Sequence, residues 1–137
     1  MGNYDPWNEI IPGLWQGGSW VEPTKFDFDA VLTSHMDSAP PEEGIKHKEF
    51  YFNDTIYYLP TQHELDDAVA WVWQRVMHGE RVLVRCHAGL NRSGLIVAST
   101  LVMLGSTPDE AILLVRKNRS PNALFNKMFE LYVRDLA

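Results

Sequence analysis

The sequence of 137 residues has a single cysteine, Cys86, so neither an intrachain disulfide nor a cysteine-built metal cage is open to it. A reducing compartment, the cytoplasm, is therefore expected. Positive charge is scarce: 12 Lys and Arg face 18 Asp and Glu, giving a net charge of −6, the wrong sign for a general nucleic-acid binder. No apolar run is long enough for a bilayer. The longest, Leu95 to Leu104, is about half the span required and holds Ser99 and Thr100, so it reads as a buried helix and no membrane partner is expected. The first residues carry Asp5 and Glu9 without an apolar stretch, so no signal peptide is expected. Met1-Gly2 would suit myristoylation, but Pro6 stands where Ser or Thr is required. Repeats and low-complexity segments are absent. What remains is an ordinary globular composition, 45% hydrophobic and 22% charged, whose length suits one domain (1–137) with a core sufficient to fold unaided.

Short strands come first and capped helices follow. Leu14-Trp15-Gln16 and Ala30 to Thr33 read as strands punctuated by Gly17-Gly18 and Pro23. Asp37 to Gly44 is a polar loop, and Lys46 to Phe52 alternates like a strand with a wet face. Thr61-Gln62-His63-Glu64 is a capping box that opens a helix with Leu65, Val69, Val72 and Val76 on one stripe, closed by Gly79. Arg81 to Arg85 has the apolar centre of a buried parallel strand. Beyond it lie a loop, the apolar helix from about Gly94, and a helix opened by the capping box Thr107-Pro108-Asp109-Glu110. A last helix is predicted from Ser120-Pro121 to about Asp135. The pattern predicts an α/β fold: one central, mostly parallel sheet of about four to five strands covered by helices.

The chemistry concentrates in Cys86-His87-Ala88-Gly89-Leu90-Asn91-Arg92-Ser93, between the buried strand and the apolar helix. A cysteine at the carboxyl end of such a strand lies where α/β sheets bind ligands. The loop of small residues can turn several backbone N–H groups inward as an anion nest, and the helix beginning near Ser93 adds its positive end. Arg92 brings a planar fork suited to two oxygens of a tetrahedral dianion. The same features favour thiolate over thiol, so one geometry binds phosphate and ionises a nucleophile. On residue type alone a lone cysteine is a small buried hydrophobe; the Cys-x5-Arg-Ser spacing after a strand reverses those odds.

These residues resemble the signature loop of cysteine-dependent protein tyrosine phosphatases, and the small chain looks like the compact dual-specificity branch. Ile11 to Gly17 is similar to that branch's first strand, and Arg116 to Asn122 with Phe125 and Leu131 is similar to its C-terminal end. The resemblance implies a catalytic set of Cys86 as nucleophile, Arg92 as phosphate clamp, Ser93 as hydrogen-bond donor to the sulfur, and Asp54, in the loop after Tyr51-Phe52, as general acid. It implies phosphate binding by His87, Ala88, Gly89, Leu90, Asn91 and Arg92, with no cofactor and no metal. Asp66 and Asp67 are rival acids explained by a solvated helix face, and Asp37 is a weaker one. Ser93 could equally cap the helix. The sequence departs from the family in one place: Arg85 stands where histidine commonly precedes the cysteine.

The implied activity is metal-independent hydrolysis of phosphotyrosine in a phosphorylated protein, with phosphoserine and phosphothreonine as further substrates. Three arginines and one glutamate between Glu80 and Ser93 suggest a local positive field at the mouth. An RNA 5′-triphosphatase is the second reading, since Asn91 precedes Arg92 as in some of those enzymes. A phosphoprotein-binding module without turnover is the third, and it predicts a missing nucleophile, arginine or acid. Rhodanese-like and arsenate reductase loops differ in the spacing or position of their cysteine. The five tryptophans, Tyr57 and Tyr58 are candidate groove residues, though aromatic residues mostly pack.

Overall fold

The computed structural model describes residues 5–36 and 38–136. Met1-Gly2 and the candidate acid Asp37 lie outside the described residues. In chain order the elements are β1 (Trp7–Ile11), β2 (Leu14–Gly17), β3 (Ala30–Thr33), β4 (Lys46–Glu49), α1 (Gln62–Met77), β5 (Val82–Arg85), α2 (Arg92–Met103), α3 (Pro108–Asn118) and α4 (Lys127–Arg134). They build one five-stranded sheet in the order β1-β2-β5-β3-β4, with β1 antiparallel to β2 and every other neighbour parallel.

The all-apolar centre of β5 places it in the middle of the sheet, with β2 on one side and β3 on the other. Strand alternation sends Val82 and Val84 to one face and Leu83 to the other. Val82 and Val84 join Ala30 and Leu32 in a core that also takes Leu65 of α1, Leu95 of α2, Ala111 of α3 and Phe129 of α4, so all four helices contribute to this one core. The opposite face is covered by a small cluster: Phe28, Val31 and Leu83 with Trp7, Trp15 and Ile45 against them. Phe28 meets Trp7 and Trp15 edge-on at 5.1 and 5.4 Å between ring centroids. Both predicted capping boxes form, Thr61 with Glu64 and Thr107 with Glu110.

Four expectations need correction. A strand not foreseen, β1, precedes the predicted first one; Ile10-Ile11-Pro12-Gly13-Leu14 is two apolar runs joined by a Pro-Gly turn, a hairpin signal. The strand expected over Lys46 to Phe52 stops at Glu49. Helix α2 begins at Arg92, so Ser93 lies inside it and Asn91 holds the N-cap position without a side-chain cap bond. Last, α4 begins at Lys127 and not at Ser120. The chain turns through Pro121 to Leu124, where Leu124 has φ 60°, and the helix waits for a cap. That cap is Asn126, whose side-chain oxygen accepts from the amides of Met128 and Phe129. Glu130 then ties α3 to α4: burial alone would raise its pKa, but hydrogen bonds from Arg134 and Lys127 and the charge of Arg116 outweigh it and bring it down to about 2.

Candidate active site

Between β5 and α2 the chain makes a tight loop whose carbonyls from His87 to Leu90 are claimed from outside. The carbonyl of His87 accepts from the amide of Ser19 at 3.2 Å, and that of Leu90 from the amide of Leu124 at 3.1 Å. Ala88 accepts from Arg119 Nη2 at 3.3 Å. Gly89 accepts twice, from Arg119 Nε and from Gln16 Nε2, both at 3.1 Å. No peptide bond among the described residues is cis. In a trans peptide the N–H points opposite to the C=O, so four outward carbonyls send the amides of Ala88, Gly89, Leu90 and Asn91 inward. These backbone dipoles form a concave donor array at the positive end of α2.

Glycine is required where the loop turns. Gly89 has φ +75°, and an added Cβ would lie 2.5 Å from the carbonyl carbon of Gly17 and 2.6 Å from Arg119 Nη2. The Gly17-Gly18 backbone and a buried guanidinium therefore converge on a site that admits only hydrogen.

Ala88, Leu90 and Asn91 of this array line a cavity of about 240 Å³ together with Asp54, Cys86, His87, Arg92 and Phe125. Cys86 is only 2% exposed, yet it borders this cavity, and its sulfur lies 3.3 Å from the hydroxyl of Ser93, the second residue of α2. Arg92 Nη1 donates to the carbonyl of Phe52 at 3.3 Å, which connects the cavity to the segment bearing Asp54. Of the residues singled out in the sequence, Asp54, Cys86, His87, Ala88, Leu90, Asn91 and Arg92 thus share one cavity. Gly89 and Ser93 support it from behind.

Three details differ from the expected picture. The side chain of Asn91 is buried and turned away from the nest: its Nδ2 donates to Asp54 Oδ2 at 2.9 Å, and its Oδ1 accepts from the amide of Asn126 at 3.0 Å. The three arginines do not gather at the mouth. Arg81 precedes β5, roughly 15 Å from the cysteine along the strand, and is held by Asp29, whose carboxyl it keeps below its ordinary range. Arg85 leaves the sheet on the face of Leu83, fully buried; its Nε donates to Thr33 Oγ1 at 2.9 Å and its Nη2 to the carbonyl of Ala39 at 2.8 Å. Glu22 lies 3.7 Å away, and burial pushes the arginine pKa down. Arg92 is the only one of the three that lines the cavity.

Sequence reasoning missed the residue that does brace the loop. Arg119 is 2% exposed and spreads its guanidinium over the carbonyls of Ala88, Gly89 and Asp5 and over Asn8 Oδ1. Burial lowers its pKa while the charge of Cys86 opposes that shift. Its guanidinium also lies 5.7 Å from the ring centroid of Trp20. Asn126 was missed as well; its Nδ2 donates to Asp54 Oδ1 at 2.7 Å and to the carbonyl of Thr55 at 3.1 Å. A polar asparagine before a helix is a cap signal, but nothing local announces a partner 72 positions earlier.

Beside the small cavity runs a groove of about 980 Å³, which shares His87 and Arg92 with it. Trp20, Met36, Phe50, Tyr51 and Tyr58 line it, with Glu64 at one end. Tyr58 is therefore a groove residue, whereas Tyr57, 83% exposed, is not among those lining it. His87 stands at the rim with its ring 5.8 Å from that of His35. No cluster of His, Cys, Asp and Glu able to hold a metal ion occurs among the described residues, and no helix there is long and apolar enough to cross a membrane.

Comparison with known proteins matches residues 18–135 to the model of a family described as dual specificity phosphatase, catalytic domain. The chain is 32% identical over 133 residues to Dual specificity protein phosphatase 12 of Homo sapiens, covering 89% of this chain and 38% of that protein. It is 30% identical over 132 residues to Dual specificity protein phosphatase 22 of Xenopus tropicalis, covering 90% of this chain and 63% of the relative. The chain thus spans well under two thirds of the first relative and just under two thirds of the second. Among solved structures, a mouse putative dual specificity phosphatase complexed with zinc tungstate superposes with a TM-score of 0.84 at 20% identity, over 98% of this chain and 89% of that one. At that identity the likeness speaks for the fold.

Proposed function

The chain belongs to the dual specificity phosphatase catalytic-domain family, and from that premise we propose that it hydrolyses phosphate monoesters of protein side chains, phosphotyrosine first and phosphoserine and phosphothreonine besides, through a phosphocysteine at Cys86. The observation that carries the proposal is the ring of outward carbonyls from His87 to Leu90, because it commits four amides to a tetrahedral oxyanion directly in front of the sulfur.

The chemistry then runs in two steps. The Cys86 thiolate attacks phosphorus, the S–P bond forms, and the P–O bond to the leaving group breaks. Arg92 and the loop amides hold the equatorial oxygens throughout. Asp54 gives its proton to the departing oxygen. Water next attacks the phosphocysteine, Asp54 takes a proton from it, and the S–P electron pair returns to sulfur, where the Ser93 hydroxyl donates to the thiolate. Free phosphate and the starting enzyme result. His87, Ala88, Gly89, Leu90 and Asn91 serve through their backbone, and residues 1–137 act as one catalytic domain.

The cavity brings nucleophile, arginine and acid together, which favours turnover over a phosphoprotein-binding module. Besides Arg92 the groove offers no lysine or arginine, and it carries Glu64, which disfavours the polyphosphate chain of an RNA 5′ end. The test is hydrolysis of p-nitrophenyl phosphate in excess chelator, alongside a 5′-triphosphorylated oligonucleotide. The ester should be turned over and the oligonucleotide spared, with Cys86→Ser inactive on both. Turnover that survives Cys86→Ser, or that stops in chelator, overturns the reading.

A further inference from the structure

The proton donor named above sits on a segment, residues 50–61, that has no regular secondary structure between β4 and α1. Its carboxylate is nevertheless gripped on both oxygens, by Asn91 Nδ2 at 2.9 Å and Asn126 Nδ2 at 2.7 Å. We propose that Asn126, acting with Asn91, is the positioning residue of the reaction: it aims the Asp54 carboxyl at the departing oxygen. The proposal rests on the reading of Asp54 as general acid.

The direction of these hydrogen bonds is fixed by the surroundings. An asparagine amide can ordinarily be turned over, exchanging donor for acceptor. Here Asn126 Oδ1 accepts from the amides of Met128 and Phe129 as the cap of α4, and Asn91 Oδ1 accepts from the amide of Asn126. Both oxygens are spoken for by backbone donors that cannot reverse. Both NH₂ groups must therefore face Asp54. The two asparagines are 3% and 4% exposed, whereas Asp54 is on the surface, so buried donors hold an exposed acceptor.

A cap alone does not account for this. Capping needs only the side-chain oxygen, and Ser or Asp would supply it. The amide nitrogen of Asn126 has no part in the cap, yet it makes two bonds, to Asp54 and to the carbonyl of Thr55. The clamp also leaves the acid competent. A carboxylate has about four lone-pair sites, and each oxygen here gives one to an amide. The remaining sites can carry the proton and deliver it into the cavity. Through Asn126 the start of α4, the loop before α2 and the acid segment become one connected unit.

The test compares a good leaving group with a poor one, p-nitrophenyl against phenyl phosphate, in Asn126→Ser, Asp54→Ala and the double variant. Serine keeps the cap and removes the amide. Asn126→Ser should slow the phenyl ester between about ten- and a hundredfold more than the nitrophenyl ester. Asp54→Ala should do so more strongly, by about a hundredfold or more, and adding Asn126→Ser to it should change nothing further. Asn126→Asp, which also keeps the cap but sets carboxylate against carboxylate, should be worse than serine on the phenyl ester. Equal slowing of both esters by Asn126→Ser, or an additive double variant, overturns the clamp and leaves Asp54 as the acid. An Asp54→Ala enzyme that slows both esters alike overturns the acid and the clamp with it.

Discussion

Replacing Arg119 by Met keeps the buried stem and deletes the fork that holds the loop carbonyls. Four hydrogen bonds disappear, to Ala88, Gly89, Asp5 and Asn8. Not all are lost outright. Gly89 keeps Gln16 as a donor, and Asp5 and Asn8 lie near enough to solvent to turn to water. Removing the guanidinium also relieves the burial that already depresses its pKa. Setting charge-assisted bonds against that relief leaves a net destabilisation of about 2–3 kcal/mol, or roughly 5–10 °C in melting temperature for a chain of this size. The functional loss should be separate. The Ala88 carbonyl fixes the amide of Gly89, and the Gly89 carbonyl fixes that of Leu90, so one of the four inward donors loses the arginine that anchors it and a second keeps only Gln16. At about 1 kcal/mol per donor, affinity for a tetrahedral oxyanion should fall by about ten- to thirtyfold. Thermal melting and competitive inhibition by tungstate measure the two effects on the same preparation. A variant that melts early but still binds tungstate within twofold of the parent would refute the claim that Arg119 orients the nest.

Two other outcomes follow from geometry already described. Gly89→Ala should cost about 2–4 kcal/mol, because left-handed backbone strain is added to contact with backbone that cannot move aside, and tungstate binding should be lost; differential scanning fluorimetry and the inhibition assay check both. Glu130 makes stability sensitive to acid. Its folded pKa of about 2 lies below the ordinary 4.5, so its stabilisation is complete above pH 4.5 and disappears as pH falls towards 2. Parent and Glu130→Gln should therefore differ by up to about 3 kcal/mol in urea unfolding at pH 6 and converge near pH 2; a gap that stays constant with pH would show that Glu130 acts through packing.

Much of the site could be read from neighbours in sequence because its central part is local. Strand, loop and helix are contiguous from Val82 to Met103, and a spacing of Cys-x5-Arg records their geometry directly. Capping boxes are local too, and both formed. What escaped depends on pairs far apart along the chain. A buried arginine and an exposed one are spelled alike, so Arg81, Arg85 and Arg92 suggested a shared field although strand alternation and Asp29 send two of them elsewhere. Arg119 reaches the loop from 30 positions downstream, a separation no periodicity encodes. The start of α4 was misplaced because Ser120-Pro121 satisfies the same local rule that Asn126 satisfies, and only packing of Leu124 beneath Leu90 and Gly94 decides between them.

The grip of Arg119 on Asp5 and Asn8 redraws the limits of the working unit. The match to the family model begins at residue 18, and the segment before it supplies two strands of the sheet and, through Gln16, Asp5 and Asn8, part of the brace behind the nest. A protein trimmed to residue 18 would keep Cys86, Arg92 and Asp54 and lose part of the scaffold that holds the loop carbonyls outward.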